Sequence, residues 1–359
     1  MSLLQKTIES IAPVDKAALA AAWRHIDALA KPVGSLGLLE HMAARLAAIA
    51  GEDFDLGAGE VLVFCADNGV CGEGVSSCPQ DVTRQVTVNL TRGLTGVCVL
   101  ARSVGASVTP VDLGVKNLPP HAGVLHSKLM PEGTGNIARE AAMGHDTAVA
   151  ALEAGIACVR ELHARGAGLF AIGEMGIGNT TTAAAVLSAL AALPPERTVG
   201  RGAGLDDVQL ENKRRVVQMA LDLHRPDAGD PIDVLAKVGG LDIAAMAGAC
   251  LGAAALRRPM VLDGYISCVA GLCARRLCPA AADYLFASHV SEEPGAVHAL
   301  AELGLEAPLR MHMRLGEGSG AVLLFPILRA VQTMYRQMGT FEQANIFDGD
   351  YLDKWQSHA

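Results

Sequence analysis

Gly168-Leu169-Phe170-Ala171-Ile172-Gly173-Glu174-Met175-Gly176-Ile177-Gly178-Asn179-Thr180-Thr181-Thr182 decides how this chain is read. Its first six residues form a short apolar run bounded by glycine, the pattern of a strand buried on both faces. Glycines and polar residues follow at once. Residues 179–192 then read as a helix that stops at Pro194-Pro195. The same alternation extends in both directions. Strands are expected at residues 60–67, 108–112, 259–264, 282–288 and, as a short one, 311–315. Helices are expected at 81–90, 96–104, 147–164, 207–223, 244–256 and 266–276, and from the Gly316–Gly320 turn to about Met338. The stretch between Asp112 and Asn136 reads as irregular. Strands separated by helices imply an α/β fold: a mostly parallel, doubly wound sheet flanked by helices.

The N-terminal residues differ. Residues 15–30 are Ala-rich and helical, Lys31-Pro32-Val33-Gly34-Ser35-Leu36-Gly37 interrupts them, and Ser35 is placed to cap the next helix. Residues 348–358 read as a mobile tail.

Composition limits the function. Lys and Arg total 29 against 38 Asp and Glu, a formal charge of −9, so a nucleic-acid-binding surface is not expected. The longest apolar run, residues 243–256, is 14 residues. That is short of the roughly 18 needed to cross a membrane, and it fits a buried helix. A charged, helix-like start with no leader pattern points to the cytoplasm. Nine cysteines without a CxxC pair read as free thiols. Neither HExxH nor GxSxG occurs, so no metal, no cofactor and no serine nucleophile is expected.

In a parallel sheet, ligands bind beyond the carboxyl ends of the strands. The expected strands end there in Asp67-Asn68-Gly69, Asp112-Leu113-Gly114, Gly173–Thr182, Asp263-Gly264-Tyr265, Ser288-His289 and Gly316-Glu317-Gly318-Ser319-Gly320. Gly176 and Gly178 permit close approach to backbone N–H groups, and Asn179 and Thr180 open a helix whose start favours phosphate. No Lys follows the last glycine, so this is not a Walker A loop. A second glycine loop, Gly200-Arg201-Gly202-Ala203-Gly204, precedes the helix that carries Lys213. Two such loops and a lysine fit a phosphate plus a sugar; packing turns and a solvated lysine are the alternative. Glu317 stands between two glycines. Burial raises a carboxyl pKa and makes a better base near neutrality, whereas a helix start lowers it, and sequence leaves the sum open. Glu174 is the other candidate carboxylate. Glu292-Glu293 reads as the first turn of a helix after Ser291. His289 and His312 are candidates for the cleft or for structural roles.

Taken in order, several stretches resemble nicotinate-nucleotide–dimethylbenzimidazole phosphoribosyltransferases. They are Lys31–Gly37, Asp67-Asn68-Gly69-Val70 with Gly74-Val75-Ser76, Gly133-Thr134-Gly135-Asn136, Gly173–Thr182, Gly202–Asp206, Gly240-Leu241-Asp242, Asp263-Gly264 and Leu315–Gly320. The resemblance implies a cytoplasmic homodimer. Such an enzyme moves a 5-phosphoribosyl group from nicotinate mononucleotide to 5,6-dimethylbenzimidazole in cobalamin assembly. It implies a large α/β domain (residues 56–325) and a small helical domain from both chain ends (1–55 and 326–359). It implies Glu317 and Glu174 as catalytic residues. Gly176, Gly178, Asn179, Thr180, Gly202, Ala203, Gly204, Lys213, Asp263 and Ser291 would then serve substrate binding. Gly316 and Gly318 would serve substrate binding too, and Gln80, Gln85 and Leu315 would fall near the base pocket. Asn68 stands where the family often has His. A nucleotide or sugar-phosphate kinase and a non-catalytic nucleotide-binding module are the competing readings.

Overall fold

The computed structural model describes residues 1–346, so the tail at 348–358 lies outside the described residues. Six strands form one sheet: β1 (Ala58–Ala66), β2 (Ala106–Gly114), β3 (Leu125–His126), β4 (Ala167–Met175), β5 (Met260–Leu262) and β6 (Leu285–Ala287). Their order is β3-β2-β1-β4-β5-β6, and every pair is parallel. This is the order of a doubly wound sheet, in which the connections reverse direction between β1 and β4. β4 is buried over all nine residues, as its apolar run requires. Val82–Thr91 and Leu241–Ala255 lie against β1 and β4. The second of these helices is buried along nearly its whole length and packs on His145–Ala164. Its side chains are mostly Ala and Gly, which explains how so apolar a chain builds a core with few aromatics.

The described chain divides into two compact units. The larger is Met1–Ala12 with Gly57–Leu324, and the smaller is Pro13–Leu56 with the chain from Phe325 onward. The first helix, Leu3–Ser10, is expected with the other terminal helices but groups with the larger unit. It buries Leu4 and Thr7, the Leu4 N–H donates to Glu153 Oε1 at 2.9 Å, and Tyr284 Oη donates to the Ala12 carbonyl at 2.8 Å. In the smaller unit Lys31 and Glu40 form a buried ion pair at 2.9 Å. His25 and Phe54 pack on Tyr335.

Three other expectations change. Ser35 does not cap the Leu38–Ala50 helix: Gly37 holds that position, without a side-chain cap. Residues 311–315 are not a strand. His312 adopts positive φ, the isolated bridge next to the segment is His289 to Leu309, and within it the Met313 carbonyl accepts the Glu292 N–H at 3.1 Å without forming a strand. The sixth strand is instead β3, two residues inside the stretch read as irregular, too short to carry a period of its own. No helix of the described residues is long and apolar enough to cross a membrane. All nine cysteines are free, and only Cys71 and Cys78 are not buried.

Candidate active site

Where the strand connections reverse, the loops leaving β1 and β4 separate and open a crevice. A cleft of about 280 Å³ occupies it. All of its lining comes from the larger unit.

One end is built around Glu317. The residue adopts left-handed backbone (φ 61°), uncommon outside glycine, between Gly316 and Gly318. Asp263, at the end of β5, holds this turn. Its Oδ2 accepts the Gly318 N–H at 3.1 Å, and its Oδ1 accepts those of Gly320 and Ala321 at 2.7 and 2.9 Å. A carboxylate on the N-terminus of the Ser319–Gln337 helix gains from its dipole as well as from the bonds. Gly173, in β4, lets the turn lie against the sheet: a Cβ there would run into the backbone of Glu317 and Gly318. Glu317 is 9% exposed and its Oε2 is buried with no hydrogen-bond partner among the described residues. Burial and then the nearby Asp263 push its carboxyl above the usual glutamate range.

Glu174 lies beside this turn and, next to it, the Asn179 amide donates to both Glu174 and Asp242, the latter at 3.1 Å. Burial, then the Asp242 charge, push Glu174 well above the usual range. Burial also raises Asp242 and Asp263, each to about 6. The site therefore holds more carboxyl groups than it can ionise together near neutrality.

The other end is the start of the Asn179–Ala191 helix, with Gly178 at its N-cap. Lys213 is fully buried beneath it. Its Nζ donates to Thr180 Oγ1 at 2.7 Å and to the Gly200 carbonyl at 3.1 Å. Burial lowers its pKa to about 8, while the Glu293 charge acts in the opposite direction.

Glu174, Gly176, Gly178, Asn179, Thr180, Gly202, Ala203, Asp263, Ser291, Leu315, Gly316 and Glu317 all line the cleft. Five expected residues do not. Lys213 lies under the cradle rather than at its surface, and Gly318 is spent on the Asp263 bond. Gly204 lies outside the lining. Gln85 is exposed and donates to Asp81 at 2.7 Å, and Gln80 lies beside Asp67. The Val82–Thr91 helix does face the cleft, through Val82 and Val86, one turn apart. With Ile177 and Leu315 these valines supply an apolar slot. Their i, i+4 spacing is the signal in the sequence, and the polar neighbours obscure it. His289 lines the cleft with its pKa lowered by burial, whereas His312 is exposed and bound to Glu292 at 2.6 Å.

Glu293 also departs from expectation. It precedes the Gly295–Leu303 helix, lines the cleft, and accepts the Gly202 N–H at 2.8 Å. That N–H is thereby occupied, so the glycine loop before Lys213 presents a carboxylate to the cleft as well as backbone.

Fold and site together define an α/β protein that takes a small polar ligand at the switch point of a parallel sheet, with an anion-compatible helix start facing a buried carboxylate. The chain belongs to a phosphoribosyltransferase family: the family model described as DBI_PRT, Phosphoribosyltransferase, matches residues 11–346. The nicotinate-nucleotide–dimethylbenzimidazole phosphoribosyltransferase of Acetivibrio thermocellus is 46% identical over 345 residues, 96% of this chain and 98% of that protein. The Escherichia coli (strain SE11) protein of the same name is 46% identical over 348 residues, 96% of this chain and 97% of that one. The crystal structure of CobT from Thermus thermophilus superposes with a TM-score of 0.89 at 43% identity, covering 93% of this chain and all of that one.

Proposed function

We propose that the protein transfers the 5-phosphoribosyl group of nicotinate mononucleotide to 5,6-dimethylbenzimidazole, giving α-ribazole 5′-phosphate and nicotinate. Near full-length likeness to relatives of that name supports the reaction. The observation that carries the mechanism is Glu317, a cleft-lining carboxylate with elevated pKa and an unpartnered Oε2.

In this mechanism the 5′-phosphate rests on the start of the Asn179–Ala191 helix, where N–H groups and the dipole favour an anion and Lys213 lies just beneath. The flat benzimidazole enters the slot of Val82, Val86, Ile177 and Leu315. One ring nitrogen attacks C1′. The C1′–N bond to nicotinate breaks, and its electron pair returns to the pyridinium nitrogen, so the leaving ring needs no proton. Attack from the opposite face inverts β to α. Glu317 takes the proton from the second benzimidazole nitrogen, which raises the nucleophilicity of the first. Burial, then the Asp242 charge, raises the Glu174 carboxyl well above the usual range, which favours its neutral form beside Glu317. Positioning two bound substrates contributes several kcal/mol, and a placed base about 10²–10⁴-fold. The reading includes a homodimer in a cytoplasmic setting, which rests on the resemblance; sedimentation equilibrium tests the dimer.

Mass detection of an α-riboside phosphate after mixing protein, nicotinate mononucleotide and dimethylbenzimidazole tests the reaction. Absence of that product, with both substrates intact, would overturn it.

A further inference from the structure

The mechanism above leaves one buried charge in the cleft wall unused. Glu293 is 7% exposed. Its Oε1 accepts the Gly202 N–H at 2.8 Å, and its own N–H donates to Ser291 Oγ at 3.4 Å. Its Oε2 is fully buried and has no partner among the described residues. The backbone makes room for this carboxylate: a Cβ on Gly200 would strike its Oε2 and come within 2.7 Å of its Cδ. A buried carboxylate oxygen without a donor is costly, and such a group is satisfied when a ligand brings the donor.

The chemistry of the ligand says which donor fits. A phosphate dianion carries only acceptors and is repelled by a carboxylate. The acceptor base is matched to Glu317. The remaining donors on a phosphoribosyl group are the ribose hydroxyls. We propose that Glu293 Oε2 accepts a hydrogen bond from a ribose hydroxyl of the bound phosphoribosyl donor and so makes the site selective for ribose over deoxyribose. The proposal rests on the phosphoribosyl reading given above.

The test compares nicotinate mononucleotide with its 2′-deoxy and 3′-deoxy analogues on the wild type, Glu293→Gln and Glu293→Ala. A lost hydrogen bond to a charged group corresponds to about 10- to 100-fold. In the wild type, kcat/KM is expected to fall by that factor for one of the two analogues, which identifies the hydroxyl. In Glu293→Ala both substrates lose what Glu293 contributes through the charge of Lys213, and the natural substrate loses the hydroxyl contact in addition, so the ratio between them collapses toward one. Glu293→Gln keeps an acceptor and is expected to give an intermediate ratio. A wild-type ratio near one for both analogues, or an undiminished ratio in both variants, overturns the proposal. Should Glu293→Ala fail to fold, Glu293→Gln and the wild-type series decide it. Calorimetry with ribose 5-phosphate and 2-deoxyribose 5-phosphate separates this from failure of the parent reaction. Binding selectivity that depends on Glu293 supports the proposal even if no riboside product forms, and equal binding of the two sugar phosphates by the wild type overturns a 2′-hydroxyl contact.

Discussion

At one end of the cleft Glu174, Asp263 and Glu317 gather at a single turn, with Asp242 sharing the Asn179 amide with Glu174; at the other Lys213 lies under a glycine cradle, with Glu293 near it. Both ends bury charge, and they resolve the cost differently. Like charges in a small volume take up protons, which is why burial and mutual repulsion raise the carboxyls. The lysine keeps its proton through the bonds to Thr180 and Gly200 and through the opposing carboxylate, although burial brings its pKa down to about 8. In the proposed mechanism the acidic end exchanges the proton and the cationic end holds the phosphate. Asn179 belongs to both: it opens the cradle helix and bridges Glu174 to Asp242.

Removing the base at the acidic end should have the largest effect. Glu317→Gln is expected to lower kcat by about 10²–10⁴-fold while nicotinate mononucleotide binding stays within about threefold, read by steady-state kinetics beside calorimetry. Equal turnover would remove the base from the mechanism. Gly173→Ala removes no cleft side chain but pushes the Glu317–Gly318 backbone off the sheet. Displacements of about 1 Å can cost about 100-fold, so kcat should drop by roughly 10- to 100-fold with KM less affected. Lys213→Met should act in the opposite manner, raising KM for the nucleotide about tenfold or more and moving kcat less. A kcat-only effect there would merge the two ends and break the comparison.

The smallest effect is on stability. Asp242 and Asp263 have folded pKa values raised to about 6, above the unfolded value. The stability they contribute is complete below about pH 4 and is lost as pH rises through about 6. The melting temperature of the ligand-free protein should therefore fall between pH 5 and pH 8. Asp242→Asn should flatten that slope, by about 1–3 kcal/mol at the alkaline side. The same variant removes a charge beside Glu174 and is checked by thermal melts at the two pH values.

Much of the site is legible without coordinates. Gly316-Glu317-Gly318 announces itself because a carboxylate between glycines has few packing explanations. The β4 loop does so because an apolar run ends in glycines and helix-opening residues. Gln80 and Gln85 fall outside the cleft for a definite reason. Gln80 precedes, and Gln85 lies within, a helix that does face it, but a helix presents one stripe, and the stripe here is Val82 and Val86. Lys213 belongs with the cradle, as its sequence position implies, but lies beneath it. Residue type indicates charge and does not indicate depth.

Local sequence alone determined the strand–helix alternation, the parallel sheet and the two glycine turns, because these depend on the spacing of apolar and conformationally free residues along the chain. Tertiary structure decided which distant groups share a volume. Asp263 grips a turn 55 residues away, Glu293 holds a glycine 91 residues before it, and Asp242, Asp263 and Glu317 come close enough to raise the Glu174 carboxyl. Burial and electrostatic coupling depend on distance in space, and that distance is set only when the sheet has assembled.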